Sequence, residues 1–326
     1  MSPASRLGWA LCGLALSCFS QTLQISGPST GLVFDAPTGS LRRILGNPGA
    51  ARLSTPLLSG LDWASVAPDG VSALISLQGE TRLVTAADLD GSPIDAVLPE
   101  PRFSAWAPDS SSVALYSPAA AAIQWLRRDG SLYTAEPSIP LTGAEGSAVA
   151  FAADAASRQA FIAIDGAGLF RVSAADGTSL LLPAPHVSAL AVEPGGAALW
   201  AADCDAAAVI QILQPGSSEP AVSPLLTDSE KLTDISALGL GAGGRHLYIA
   251  DRAAKLLFSF DRDAAALSEG IALDTPAAAL LPLGRPSLLF LGARQGDRDA
   301  LYLLDERTTP TLFFVPVPPA EGATAQ

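Results

Sequence analysis

The chain predicts an all-β fold, a β-propeller of four-stranded antiparallel blades, and two observations predict it. Six times an apolar stretch runs into a tight Pro/Asp/Gly turn and back out into a second apolar stretch. These copies begin near Asp62, Phe103, Ala148, Ser188, Ser236 and Ala277, at spacings of 41, 45, 40, 48 and 41 residues, which is the period of one blade. Each copy also carries a third segment of clearer apolar/polar alternation, the mark of a half-exposed antiparallel strand. These segments are TRLVTA from Thr81, AIQWLRR from Ala122, GLFRVSA from Gly168, AVIQILQ from Ala208, KLLFSFD from Lys255 and DALYLLD from Asp299.

One copy shows the plan, with strands lettered a to d from the axis outward. Ala189 to Glu193 reads as strand a, Pro194-Gly195-Gly196 as a turn and Ala198 to Ala202 as strand b. The first two strands alternate weakly, as strands buried on both faces do. Asp203-Cys204-Asp205 is then a loop, Val209 to Gln214 strand c, Pro215-Gly216 a hairpin, and a short strand d lies near Ala221. The chain closes on a complete copy, with Leu312 to Val315 as strand d. Its beginning is incomplete: Leu32 to Asp35 and Leu41 to Leu45, around the turn Ala36-Pro37-Thr38-Gly39, read as strands c and d, with Thr22 to Ser26 as strand b. Seven blades with an atypical first one is the favoured count, six with an added N-terminal hairpin the alternative. The predicted organisation is a signal peptide over 1–20, one propeller domain over 21–317 and a disordered Pro-rich tail over 318–326.

Apolar residues make up 49% of the 326 and charged ones only 16%, with a mean hydropathy of +0.34. Yet after residue 20 no apolar run reaches the roughly 18 to 20 residues a spanning helix needs; Arg285 and Pro286, for example, break one. The first twenty residues differ. Arg6 precedes the short apolar block Leu7 to Phe19, and small residues close it, the pattern of a secretory signal. A secreted or periplasmic location follows as the expectation. Ala15-Leu16-Ser17-Cys18 partly resembles a lipobox, so lipid anchoring at Cys18 is the competing reading, against the Ala that stands where Leu is usual. Of the three cysteines, Cys12 and Cys18 fall in this segment, and Cys204 alone lies well inside the domain, so no disulfide framework is predicted.

The net charge is −13, and losing Arg6 with the signal would leave 18 basic against 32 acidic residues. Such a surface repels nucleic-acid phosphates and anionic membranes, and favours a soluble monomer.

In this strand order the b–c and d–a loops emerge together at one mouth of the channel, and loops on a rigid frame are where function concentrates. That mouth gathers Asp165, Asp203, Asp205, Asp251 and Arg252 from b–c loops, and Glu100, Arg102, His186, Glu230, Lys231 and Asp234 from d–a loops. Of these, Asp203, Asp205, Asp251, Arg252, Asp165, His186 and Asp234 are the candidate ligand-binding residues. Clustered carboxylates suit Ca²⁺, which takes six to eight oxygens in typical sites, of order, or a basic partner. The plainer reading of Asp203 and Asp251 is that an Asp after strand b caps the following turn through its own backbone, and it outweighs the metal.

Catalytic templates fail. Gly239-Leu240-Gly241-Ala242-Gly243-Gly244 fits G-x-G-x-x-G but leads into the strand HLYIAD rather than into a helix that would bind pyrophosphate. With His186 and His246 the only histidines, a three-His zinc site is excluded and no Cys-rich spacing exists. His246 opens a strand b on the turn side, and no nucleophile motif accompanies His186. Trp63, Trp106, Trp125 and Trp200 fall on strands, where packing is their default role. No catalytic residue and no cofactor is therefore assigned.

LWAADCDAAAVIQIL from Leu199 and LYIADRAAKLLFSFD from Leu247 resemble NHL and related bacterial propeller repeats: aromatic, small, Ala-Asp, five loop residues, then an alternating strand. The copy at Phe161 has a shortened loop, and those at Leu74, Val113 and Leu288 lack the Asp. The resemblance covers about residues 31 to 317. It implies an exported propeller of a superfamily that includes protein-binding scaffolds, lactonase-like hydrolases with a channel metal, and lyases with channel histidines. The lyase pattern is absent here, and no lactonase metal set matches residue by residue. The resulting expectation is a non-catalytic binding or scaffold protein that meets a protein or small molecule at the channel mouth, with a metal-dependent lactonase-like hydrolase as the alternative.

Overall fold

The computed structural model describes residues 28–130, 132–292 and 301–316. They form seven antiparallel sheets. The predicted signal segment, the segment Thr22 to Ser26 and the tail 318–326 lie outside the described residues.

Six sheets repeat one plan. Blade 2 runs Trp63–Val66, Ser72–Leu77, Glu80–Thr85 and a two-residue outer strand Ser92–Pro93. Blade 3 is Phe103–Trp106, Ser112–Ser117, Ala122–Asp129 and an outer strand split into Leu132–Ala135 and Ile139–Pro140. Blade 4 is Ala148–Asp154, Gln159–Ile164, Gly168–Ser173 and Gly177–Leu182; blade 5 is Val187–Val192, Ala198–Asp203, Ala208–Leu213 and Ala221–Thr227. Blade 6 is Ile235–Leu240, His246–Asp251, Leu256–Asp261 and the split pair Ala266–Leu267 and Ile271–Ala272; blade 7 is Ala279–Leu283, Arg285–Gly292, Leu301–Asp305 and Thr311–Val315. The alternating segments of the sequence are strand c in every case, and the four tryptophans sit on strands as expected.

The first blade is read differently by the structure than by the sequence. Ser29–Asp35 and Ser40–Leu45 are strands b and c, not c and d, and the outer strand is the split pair Arg52–Leu53 and Leu58–Ser59, both alongside Ser40–Leu45. The physical sign is burial: Leu32, Val33 and Asp35 are sealed from solvent, and Asp35 ends its strand as Asp203 and Asp251 end theirs. Split outer strands of two residues each leave no alternation to read.

Burial explains why blades stack into a ring. Seven apolar clusters fill the described structure, one at each junction between neighbouring sheets. Each sheet has an apolar side chain pattern on both faces and must bury both. At the junction of blades 5 and 6, for example, Trp200, Val209, Leu238, Ile249 and Phe258 pack together. Near the axis the strands converge, and this demands small residues. A Cβ on Gly239 of blade 6 would lie 2.6 Å from the Cβ of Leu280 in blade 7. Ala191 pairs in blade 5 where Gly239 pairs in blade 6, Ala191 with Trp200 and Gly239 with Tyr248.

The ring closes where the first blade meets blades 7 and 2. Blades 7 and 2 reach each other at their a–b turns beside Ser29–Asp35. Gly284 donates its N–H to the Pro68 carbonyl at 2.8 Å, and Leu32 donates to the Gly70 carbonyl at 2.8 Å. Three glycines meet there: a Cβ on Gly70 would lie 2.9 Å from the Gly284 Cα, and one on Gly31 2.8 Å from Leu283. Gly70 and Gly284 also hold positive φ of 69° and 61°, which side chains disfavour. Leu281, on the inner strand of blade 7, stays 47% exposed.

Candidate functional site

On the loop face that the sequence singled out, several acids are engaged by backbone N–H groups of the loops around them. Asp251, at the end of strand b of blade 6, is fully buried. Its Oδ2 accepts the backbone N–H groups of Thr233 (2.7 Å) and Asp234 (2.8 Å), and its Oδ1 that of Ala254 (2.8 Å). One carboxylate therefore ties the b–c loop to the d–a loop before it. Asp203 holds the corresponding place in blade 5, where its Oδ1 accepts from Asp205 and Ala206 at 3.0 and 3.2 Å. Asp228 closes the longest d–a loop in the same way, accepting from Glu230 and Lys231. Both Asp203 and Asp251 thus accept backbone N–H groups of the loops that follow or adjoin their strands.

Four of the five remaining candidates form two ion pairs, and Asp165 stands outside them. Asp234 grips Arg252 with two parallel bonds of 2.8 Å, joining a d–a loop to the next b–c loop. His186 Nδ1 lies 2.7 Å from Asp205 Oδ2, with both side chains more than half exposed. That hydrogen bond first, and then the charge of Asp205 with smaller help from Asp165 and Asp203, raises the His186 pKa above its ordinary value. The Arg252 guanidinium is likewise held more firmly protonated, chiefly by its bond to Asp234. The structure thus gathers Asp165, Asp203, Asp205 and His186 in one group and Asp234, Asp251 and Arg252 in a second, one blade further on. Among the described residues no three His, Cys, Asp or Glu side chains come together as a metal site.

Two features escaped the sequence reading. His246 Nδ1 lies 3.2 Å from Ser259 Oγ on the next strand, beside the buried Tyr248, whose hydroxyl pKa is pushed strongly up by burial and by the neighbouring Glu306. Among the described residues no carboxylate bonds the His246 ring, so this Ser-His contact lacks the third group that would orient a general base. Arginines also bridge blades on the hairpin side. Arg262 of blade 6 stacks 4.6 Å over the Trp200 ring of blade 5 and pairs with Glu193 at 3.1 Å; Arg158 of blade 4 stacks over Trp125 of blade 3 and pairs with Glu136. Only register and three-dimensional neighbourhood reveal such contacts, since the partners lie far apart in the chain.

No family model matches this chain, and no curated protein does. Among solved structures it is similar to the β-propeller domain of Cps50 (Swd1) from Myceliophteria thermophila. The two share 12% identity over 89% of this chain and 96% of that one, with a TM-score of 0.55. The likeness is one of fold. A seven-bladed propeller hosts unrelated activities, and the site has to be argued from its own residues.

Proposed function

We propose that this protein is a non-catalytic binding or scaffold propeller that receives its partner on the b–c and d–a loop face, and that the partner's contact surface is basic. One observation carries the reading: acids without an ion-pair partner among the described residues outnumber the bases on the loop face. Asp62, Asp95, Glu100, Glu145, Asp165 and Glu230 stand on the loop face with no ion-pair partner among the described residues, while the bases there are Arg102, Lys231, Arg252 and Lys255. The hairpin face carries acids too, but there they stand among arginines that pair with them, Arg158 with Glu136, Arg245 with Asp261, Arg262 with Glu193 and Arg307 with Asp305. An acidic face draws a basic surface and speeds its approach. Asp251 and Asp203, spent on backbone N–H groups, support this over the metal-hydrolase reading. Kinship with NHL-like propellers rests on the two repeats at Leu199 and Leu247, and export on the first twenty residues.

The test is thermal unfolding in EDTA against millimolar Ca²⁺, Mg²⁺ or Zn²⁺, alongside titration with a lysine-rich peptide at two salt concentrations. A ligand at 100 times its Kd adds about 2.7 kcal/mol to the native state. The reading expects no shift with any ion and salt-sensitive peptide binding that weakens when Glu100, Asp165 and Glu230 become amides. A clear rise in Tm with one ion, or peptide binding indifferent to those changes, overturns it.

A further inference from the structure

We draw no further inference here: the strongest candidate, the exposed apolar side chain of Leu281 on the inner strand of blade 7, carries nothing because no feature of the structure shows what covers it.

Discussion

Replacing Asp251 by Ala separates a turn-capping carboxylate from a ligand. The side chain is fully buried and takes three backbone N–H groups, two from the d–a loop at Thr233 and Asp234 and one from its own b–c loop at Ala254. A buried donor left without its acceptor costs roughly 1–3 kcal/mol. Thr233 and Ala254 are exposed residues, so water reaches part of the vacated space, and the loss expected for Asp251→Ala is about 2–4 kcal/mol, below the simple sum. Asp251→Asn is the informative companion. Its Oδ1 can stand where Oδ2 stands and keep the Thr233 and Asp234 bonds, but its amide then meets the Ala254 N–H donor to donor. An intermediate loss, about 1–2 kcal/mol for one stranded donor, follows. Urea unfolding followed by tryptophan fluorescence reads both variants, in EDTA and in Ca²⁺. If Asp251→Ala unfolds within about 1 kcal/mol of the parent, a typical effect of many unremarkable substitutions, the three bonds do not carry the loop. If Ca²⁺ stabilises the parent and that gain disappears in Asp251→Ala, the carboxylate is a metal ligand and the capping argument fails.

Other expectations follow from the same geometry. Gly239→Ala has no unfavourable φ to fear, so its cost is steric: overpacking against Leu280 of about 1–3 kcal/mol, partly offset by roughly 0.4–1 kcal/mol from the stiffer unfolded chain. A variant as stable as the parent in urea would show that the inner strands yield more than their packing suggests. Arg262→Ala should lose about 1–2 kcal/mol through the Trp200 stack and the Glu193 pair. Arg262→Lys should recover little of it because an ammonium cannot lie flat on the indole, and full recovery would reduce the contact to simple charge pairing. His186 titrates above its ordinary 6.5 in the native state, for the cause given above. A raised native pKa means that the pair's stabilisation is complete below the unfolded value and is lost as pH rises through the native one, so the clamp loosens on the alkaline side of 6.5. NMR titration of the ring should show the upward shift in the parent and a return toward the ordinary value in Asp205→Asn. An unshifted parent resonance contradicts the pair.

Repetition made most of this architecture legible before any coordinates. The a–b turns at Pro194-Gly195-Gly196 and its relatives, and the alternating third strands, recur often enough that each copy corrects the next. Asp203 and Asp251 were readable for a local reason, since an Asp closing a strand finds backbone donors two or three residues on. The first blade was not readable, because its outer strand is broken at Arg52–Leu53 and Leu58–Ser59 and its neighbours in space are residues 68 to 70 and 284, far away in sequence. The pairs Asp234 with Arg252 and His186 with Asp205 lay within the predicted face, but which acid meets which base depends on how adjacent loops lean together. Trp200 under Arg262 and Ser259 beside His246 depend on register and blade order, neither of which a single strand pattern encodes.

The glycine junction at Gly31, Gly70 and Gly284 also sets the order of events when the chain folds. Most neighbouring blades are consecutive in sequence and can dock one after another, each paying a modest loop-closure cost. The bond from Gly284 to Pro68 joins segments separated by most of the polypeptide, so its entropy must be met after the intervening blades have shortened the path. On a ribosome, residues 29 to 93 emerge with their closing partner still unmade, and they must wait as an open arc with apolar flanks uncovered. Such waiting edges favour association between chains over completion of one, which makes the interval before Gly284 appears the stage at which this protein is most exposed to aggregation.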